Sequence, residues 1–98
     1  LLHYIEHGSG ELPVVFGHGT LISSAIWRDF YFPLLPPHWR AYALDFRGHG
    51  ASRQVRSGCT FPRMADDVCA LARHLALERF VYVGLSMGGG VGLQLALR

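Results

Sequence analysis

Three observations predict an α/β fold, a mainly parallel β-sheet flanked by helices. Strand and helix signals alternate along the chain, one strand core is uninterrupted apolar sequence, and glycine-rich loops follow three of the strands. In such sheets functional groups gather on the loops at the carboxyl ends of the strands. The loops in question are "GHGT", "RGHGAS" and "GLSMGGG".

The elements follow in order. "LHYIEHG" reads as a short strand ended by Gly8-Ser9-Gly10. In "LPVVFGHG" the residues Val14, Val15 and Phe16 are consecutive and apolar, which suits a strand buried on both faces. "AIWRDFYFPLL" predicts a short irregular helix, limited by Pro33 and ended by Pro36-Pro37. "RAYALDF" is a third strand. From Phe61 to Leu77 the apolar residues Phe61, Met64, Ala65, Val68, Leu71, Ala72 and Leu75 recur at the spacing of a one-faced helix. Arg63, Asp66, Asp67, Arg73 and His74 fall on its other side. Thr60 is the expected N-cap and Pro62 is tolerated in the first turn. "RFVYVGL" is a fourth strand, and a glycine-rich helical segment follows.

The chain of 98 residues suits one domain and not two. Half the residues are apolar and 16% are charged. That composition is enough for a packed core. The formal net charge is +2, and the basic residues are scattered without aromatic interleaving, which leaves a nucleic-acid surface unsupported. Cys59 and Cys69 match no zinc or redox spacing and read as free thiols of a cytoplasmic protein. The chain starts "LLHYIEHG" without Met or a leader pattern, and stops at Arg98 inside a predicted helix without a cap. The expectation is one part of a single domain, cut at both ends.

The segment "VYVGLSMGGGVGLQLALR", Val81 to Arg98, admits three readings. As a membrane span it is rich in glycine, opens with a strand-forming Val-Tyr-Val and lacks a flanking basic cluster, so no membrane partner is expected. As a phosphate loop it lacks the Lys-Ser/Thr pair and the G-x-G-x-x-G spacing. As a nucleophile elbow it fits: Gly84-Leu85-Ser86-Met87-Gly88 is G-x-S-x-G between a predicted strand and a predicted helix. Ser86 would then occupy a sharp, strained turn with its hydroxyl projecting, and Gly84 and Gly88 would be the small residues that let the backbone close. Gly89, Gly90 and Gly92 each cost about 1 kcal/mol relative to Ala in a helix, which suggests tight packing of that helix on the sheet. The helix N-terminus would offer the Met87 N–H to a developing oxyanion.

Two further pieces accompany the elbow. "VVFGHGT" ends a strand with His18-Gly19 and is followed by Trp27, and "LDFRGHGAS" ends the next with D-x-R-G-x-G-x-S. With "VGLSMGG", these resemble the N-terminal half of the α/β-hydrolase fold over essentially the whole chain. The branch most similar is that of esterases, lactonases and cofactor-free haloperoxidases. The resemblance implies that residues 1–98 are the N-terminal portion of one such domain. It implies Ser86 as nucleophile and the amides of Met87 and Thr20 as the oxyanion hole, with Leu21 as the alternative donor if the loop is offset by one. His18, Asp45 and the Arg47-Gly48-His49-Gly50 loop match structural positions. The family's Asp or Glu and its His come later, beyond residue 98. A pair such as His3 and His7 shares a face only within a strand and lacks a third ligand, so no metal or other cofactor is expected.

A serine at the elbow, rather than the aspartate of relatives that open epoxides or displace halide, points to acyl transfer from a small-molecule ester, lactone or thioester. The alternative, from a different class, is a non-catalytic fragment or a binding module on a hydrolase scaffold.

Overall fold

A computed structural model describes residues 1–98. The strands are β1 (Tyr4–His7), β2 (Leu12–Gly17), β3 (Trp39–Leu44) and β4 (Val81–Gly84). The helices are α1 (Ala25–Phe30), α2 (Phe61–His74) and α3 (Met87–Ala96), with 3-10 turns at Phe32–Leu34 and Gly50–Ser52. The strands form one sheet in the order β1-β3-β2-β4. β2 pairs parallel to β3 and to β4, while β1 runs antiparallel to β3. The fold class is therefore the one the sequence predicts.

The uninterrupted apolar run in β2 is buried on both sides, as its composition requires. Val14 and Phe16 face α1, where Trp27, Phe32, Ala41 and Ala43 complete a cluster. Val15 points to the opposite face, with Tyr42, Leu44, Phe46 and the buried side chains of α2 and α3. Burying a side chain of this size contributes about 1.5–3 kcal/mol. The core thus seats the carboxyl ends of β2, β3 and β4 side by side. β4 is an edge strand bonded to β2 alone, and Val81 is 45% exposed.

α2 starts as expected, with the Thr60 hydroxyl accepting from the Arg63 N–H at 3.4 Å. It buries Met64, Ala65, Val68, Leu71 and Ala72. It ends at His74, short of the predicted Leu77. The Leu77 N–H donates to the Ala72 carbonyl at 2.8 Å and the Ala76 N–H to the Arg73 carbonyl at 3.1 Å. This reversed turn puts Ala76 at φ 56°. The stop carries no glycine in the sequence, although an alanine in the left-handed region costs about 1–2 kcal/mol.

One side chain assigned to the polar face of α2 turns inward. Asp67 accepts from Arg47 Nε at 2.6 Å and from Nη2 at 2.8 Å, and Arg47 Nη1 donates to the Ser57 carbonyl at 2.8 Å. The pair is nearly buried, with side-chain exposures of 7% and 12%. Asp67 raises the Arg47 pKa further, chiefly through this hydrogen bonding. The two-pronged geometry locks the loop after β3 to α2.

No helix is long and apolar enough to cross a membrane. The uncharged run Phe80–Leu97 is divided between β4 and α3. Cys59 and Cys69 are both free thiols.

Candidate active site

The turn from β4 into α3 is the most strained point in the chain's glycine-rich end. Ser86 has φ 53° and ψ −109°. L-residues rarely adopt this conformation, which costs on the order of 1–3 kcal/mol. The surrounding backbone holds it there. The Leu85 N–H donates to the Gly17 carbonyl at 3.0 Å, and the Gly89 and Gly90 amides donate to the Ser86 carbonyl at 2.8 and 3.1 Å. Ser86 is exposed, and its hydroxyl makes no hydrogen bond within the chain.

Gly84 and Gly88 close the turn. A Cβ on Gly84 would overlap the Gly88 carbonyl, at 2.5 Å from its carbon and 2.7 Å from the Gly89 nitrogen. A Cβ on Gly88 would overlap the Gly17 carbonyl oxygen and lie 2.9 Å from the His18 oxygen. All of these are backbone atoms that cannot swing aside. The later glycines differ among themselves. Gly90 makes room for the Phe61 ring of α2, so its packing is helix on helix and not helix on sheet. Gly89 faces only the Gly84 oxygen at 3.8 Å, so no close packing accounts for it.

The loop after β2 lies against the elbow. A Cβ built on Gly19 would sit 3.5 Å from Ser86 Cβ, 3.5 Å from the Leu85 oxygen and 3.6 Å from Ile22 Cδ1. Thr20 follows directly and is exposed. Neither the Thr20 N–H nor the Met87 N–H donates to any group of the chain, and the Leu21 N–H is likewise free. Leu21 is held at φ 67° and is 91% exposed. It is a bulky residue in a left-handed position that the sequence does not announce. The fold therefore sets the loop that carries Thr20 against Ser86, Met87, Gly84 and Gly88 at the carboxyl ends of β2 and β4.

The histidines do other things. His18 is fully buried. Its Nε2 accepts from the Phe46 N–H at 3.1 Å, so Nδ1 carries the proton and donates to the Gly19 carbonyl at 2.7 Å. Burial lowers its pKa, against the pull of the Gly19 carbonyl and with added repulsion from His49. A neutral ring thus ties the β3 end to the loop beside Ser86. The His49 ring lies tilted against that of His18, centroids 5.1 Å apart, and bonds the Arg47 carbonyl through Nδ1 at 3.0 Å. His3 precedes β1 and bonds Asp45 at 2.8 Å, and His7 stacks on Phe32. None of them bonds Ser86.

Asp45 gathers three segments. One oxygen accepts from the Ser24 N–H at 2.7 Å, and the other from His3 at 2.8 Å and from the Ala51 N–H at 3.3 Å. Burial alone would raise its pKa, but the hydrogen bonds from Ser24, His3 and Ala51 outweigh this and lower it. It joins the N-terminal segment, the start of α1 and the loop after β3.

A serine strained between a parallel strand and a glycine-rich helix, on a sheet with helices on both faces, defines the α/β-hydrolase class. A family model described as alpha/beta hydrolase fold matches residues 13–98, and the chain belongs to that family. It is 40% identical over 89 residues to a non-heme haloperoxidase of Rhodococcus erythropolis, covering 91% of this chain and 32% of that protein. It is 39% identical over 90 residues to a bifunctional esterase/perhydrolase of Acinetobacter calcoaceticus, covering 91% of this chain and 33% of that one. Among solved structures it matches Est816, an N-acyl homoserine lactone degrading enzyme, with a TM-score of 0.86 and 35% identity over 98% of this chain and 36% of that one. The chain spans about a third of the length of these curated relatives.

Proposed function

We propose that the intact protein is a serine hydrolase that forms an acyl-enzyme on Ser86. The observation that carries this reading is Ser86 itself, exposed and strained at the N-terminus of α3, with a hydroxyl that makes no hydrogen bond within the chain. Its Oγ attacks the carbonyl carbon of an ester, lactone or thioester while a histidine beyond residue 98 removes the proton. The carbonyl oxygen becomes an oxyanion between the Thr20 and Met87 amides, each worth about 3 kcal/mol to the transition state. The leaving oxygen or sulfur takes the proton that the histidine returns; the alcohol or thiol then departs, or, from a lactone, stays tethered to the acyl group as a hydroxyl. Water then repeats the sequence and releases the acid. No cofactor is needed for this chemistry. An esterase/perhydrolase and a lactone-degrading enzyme among the relatives support an acyl substrate.

A second reading concerns residues 1–98 alone. None of the six histidines bonds Ser86, which favours a non-catalytic module if this segment acts by itself.

A fluorophosphonate probe tests the first reading. The full-length wild-type protein becomes covalently labelled and Ser86→Ala does not. Equal labelling of the two contradicts the assignment.

A further inference from the structure

Two glycines outside the G-x-S-x-G motif, Gly17 and Gly92, face the same side chain. A Cβ on Gly17 would overlap the Tyr82 hydroxyl, at 2.9 Å from Cζ. A Cβ on Gly92 would lie 3.1 Å from Tyr82 Cε2 and 3.2 Å from Cδ2. The phenol is thus wedged between the end of β2 and the second turn of α3. Its hydroxyl donates to the Gly88 carbonyl at 2.7 Å. Every other hydrogen bond that holds residues 84–90 joins backbone to backbone, so Tyr82 supplies the one from a side chain. Burial raises the Tyr82 pKa, which keeps the phenol a neutral donor at physiological pH.

Gly88 is the point where the elbow meets the neighbouring loop. It follows Met87 directly, and the Gly17 and His18 carbonyls occupy the space a Cβ on it would need. A small shift of this turn would move Ser86 Oγ and the Met87 amide together relative to Thr20. Resting on the reading of Ser86 as nucleophile, we propose that Tyr82 is a positioning residue. Its hydroxyl, anchored on the Gly88 carbonyl, fixes the first turn of α3 and thereby aligns Ser86 and the Met87 amide with the loop that carries Thr20.

The test is steady-state hydrolysis of p-nitrophenyl acetate by the full-length protein, with kcat expressed per active site titrated by the p-nitrophenol burst, which counts only competent molecules. Tyr82→Phe keeps the ring and loses the hydroxyl. Its kcat falls about tenfold while KM stays within about twofold, because attack geometry and not substrate binding is disturbed. 3-Fluorotyrosine at position 82 keeps the donor and restores kcat. A purely packing role moves thermal stability and leaves kcat per titrated site unchanged. Wild-type kcat in Tyr82→Phe, alongside an inactive Ser86→Ala, overturns the assignment of Tyr82. Turnover retained by Ser86→Ala overturns the nucleophile reading, and the role of Tyr82 with it.

Discussion

Replacing Ser86 by alanine in the full-length protein lowers kcat/KM for an activated ester by about 10⁴-fold or more, the loss typical of removing a nucleophile that acts with a base. The residual rate comes from the free amides of Thr20 and Met87, which still polarise a bound carbonyl. The fold is retained, because alanine bears the same backbone strain as serine at φ 53°. Ser86→Gly separates strain from chemistry. It is equally inactive but melts higher, because glycine enters positive φ without steric cost. The net gain is about 1 kcal/mol once the greater freedom of glycine in the unfolded chain is counted. A variant that is dead and more stable marks a residue whose conformation serves reactivity.

The second large effect is on the elbow's framework. Gly88→Ala destabilises the protein by about 3 kcal/mol or more, the upper end of overpacking, since the new methyl meets main-chain carbonyls and not flexible side chains. The atoms it displaces belong to Gly17 and His18, which lead into Gly19 and Thr20. Activity per folded molecule falls by about 100-fold, as expected for a displacement of about 1 Å. Gly89→Ala is the control one residue away. Its Cβ meets nothing closer than 3.8 Å. Alanine is also favoured over glycine in a helix by about 1 kcal/mol. Urea denaturation of the two variants therefore shifts in opposite directions. Equal shifts would contradict the close approach at Gly88.

Much of the fold was legible because its signals are local. The run Val14-Val15-Phe16 declares a strand covered on both faces, and the periodic apolar positions of α2 declare one buried side. The elbow was legible for the same reason, since G-x-S-x-G between a strand and a helix constrains five adjacent residues. What escaped was set by contacts between distant segments. Helical periodicity places Asp67 on the polar side, yet a polar face can meet a buried arginine as readily as water, and here it meets Arg47. Tyr82 reads as one of three strand formers in Val-Tyr-Val. Its bond to Gly88 depends on the space that Gly17 and Gly92 leave, and no short pattern links those positions. The end of α2 carries no sequence signal, because Ala76 occupies a place where glycine would mark the stop.

The role of Ser86 is tested most directly by trapping the covalent intermediate. The full-length protein is mixed with p-nitrophenyl acetate, quenched in acid during turnover and digested with trypsin, which cleaves after Arg79. The peptide beginning at Phe80 holds Ser86 as its one serine, near Tyr82 and its buried phenol. The expected result is a single acetyl group on this peptide, localised to Ser86 by fragmentation and absent from Ser86→Ala. Release of p-nitrophenol with the peptide unmodified, or an acetyl group mapped to another residue, would contradict the assignment of Ser86 as the nucleophile.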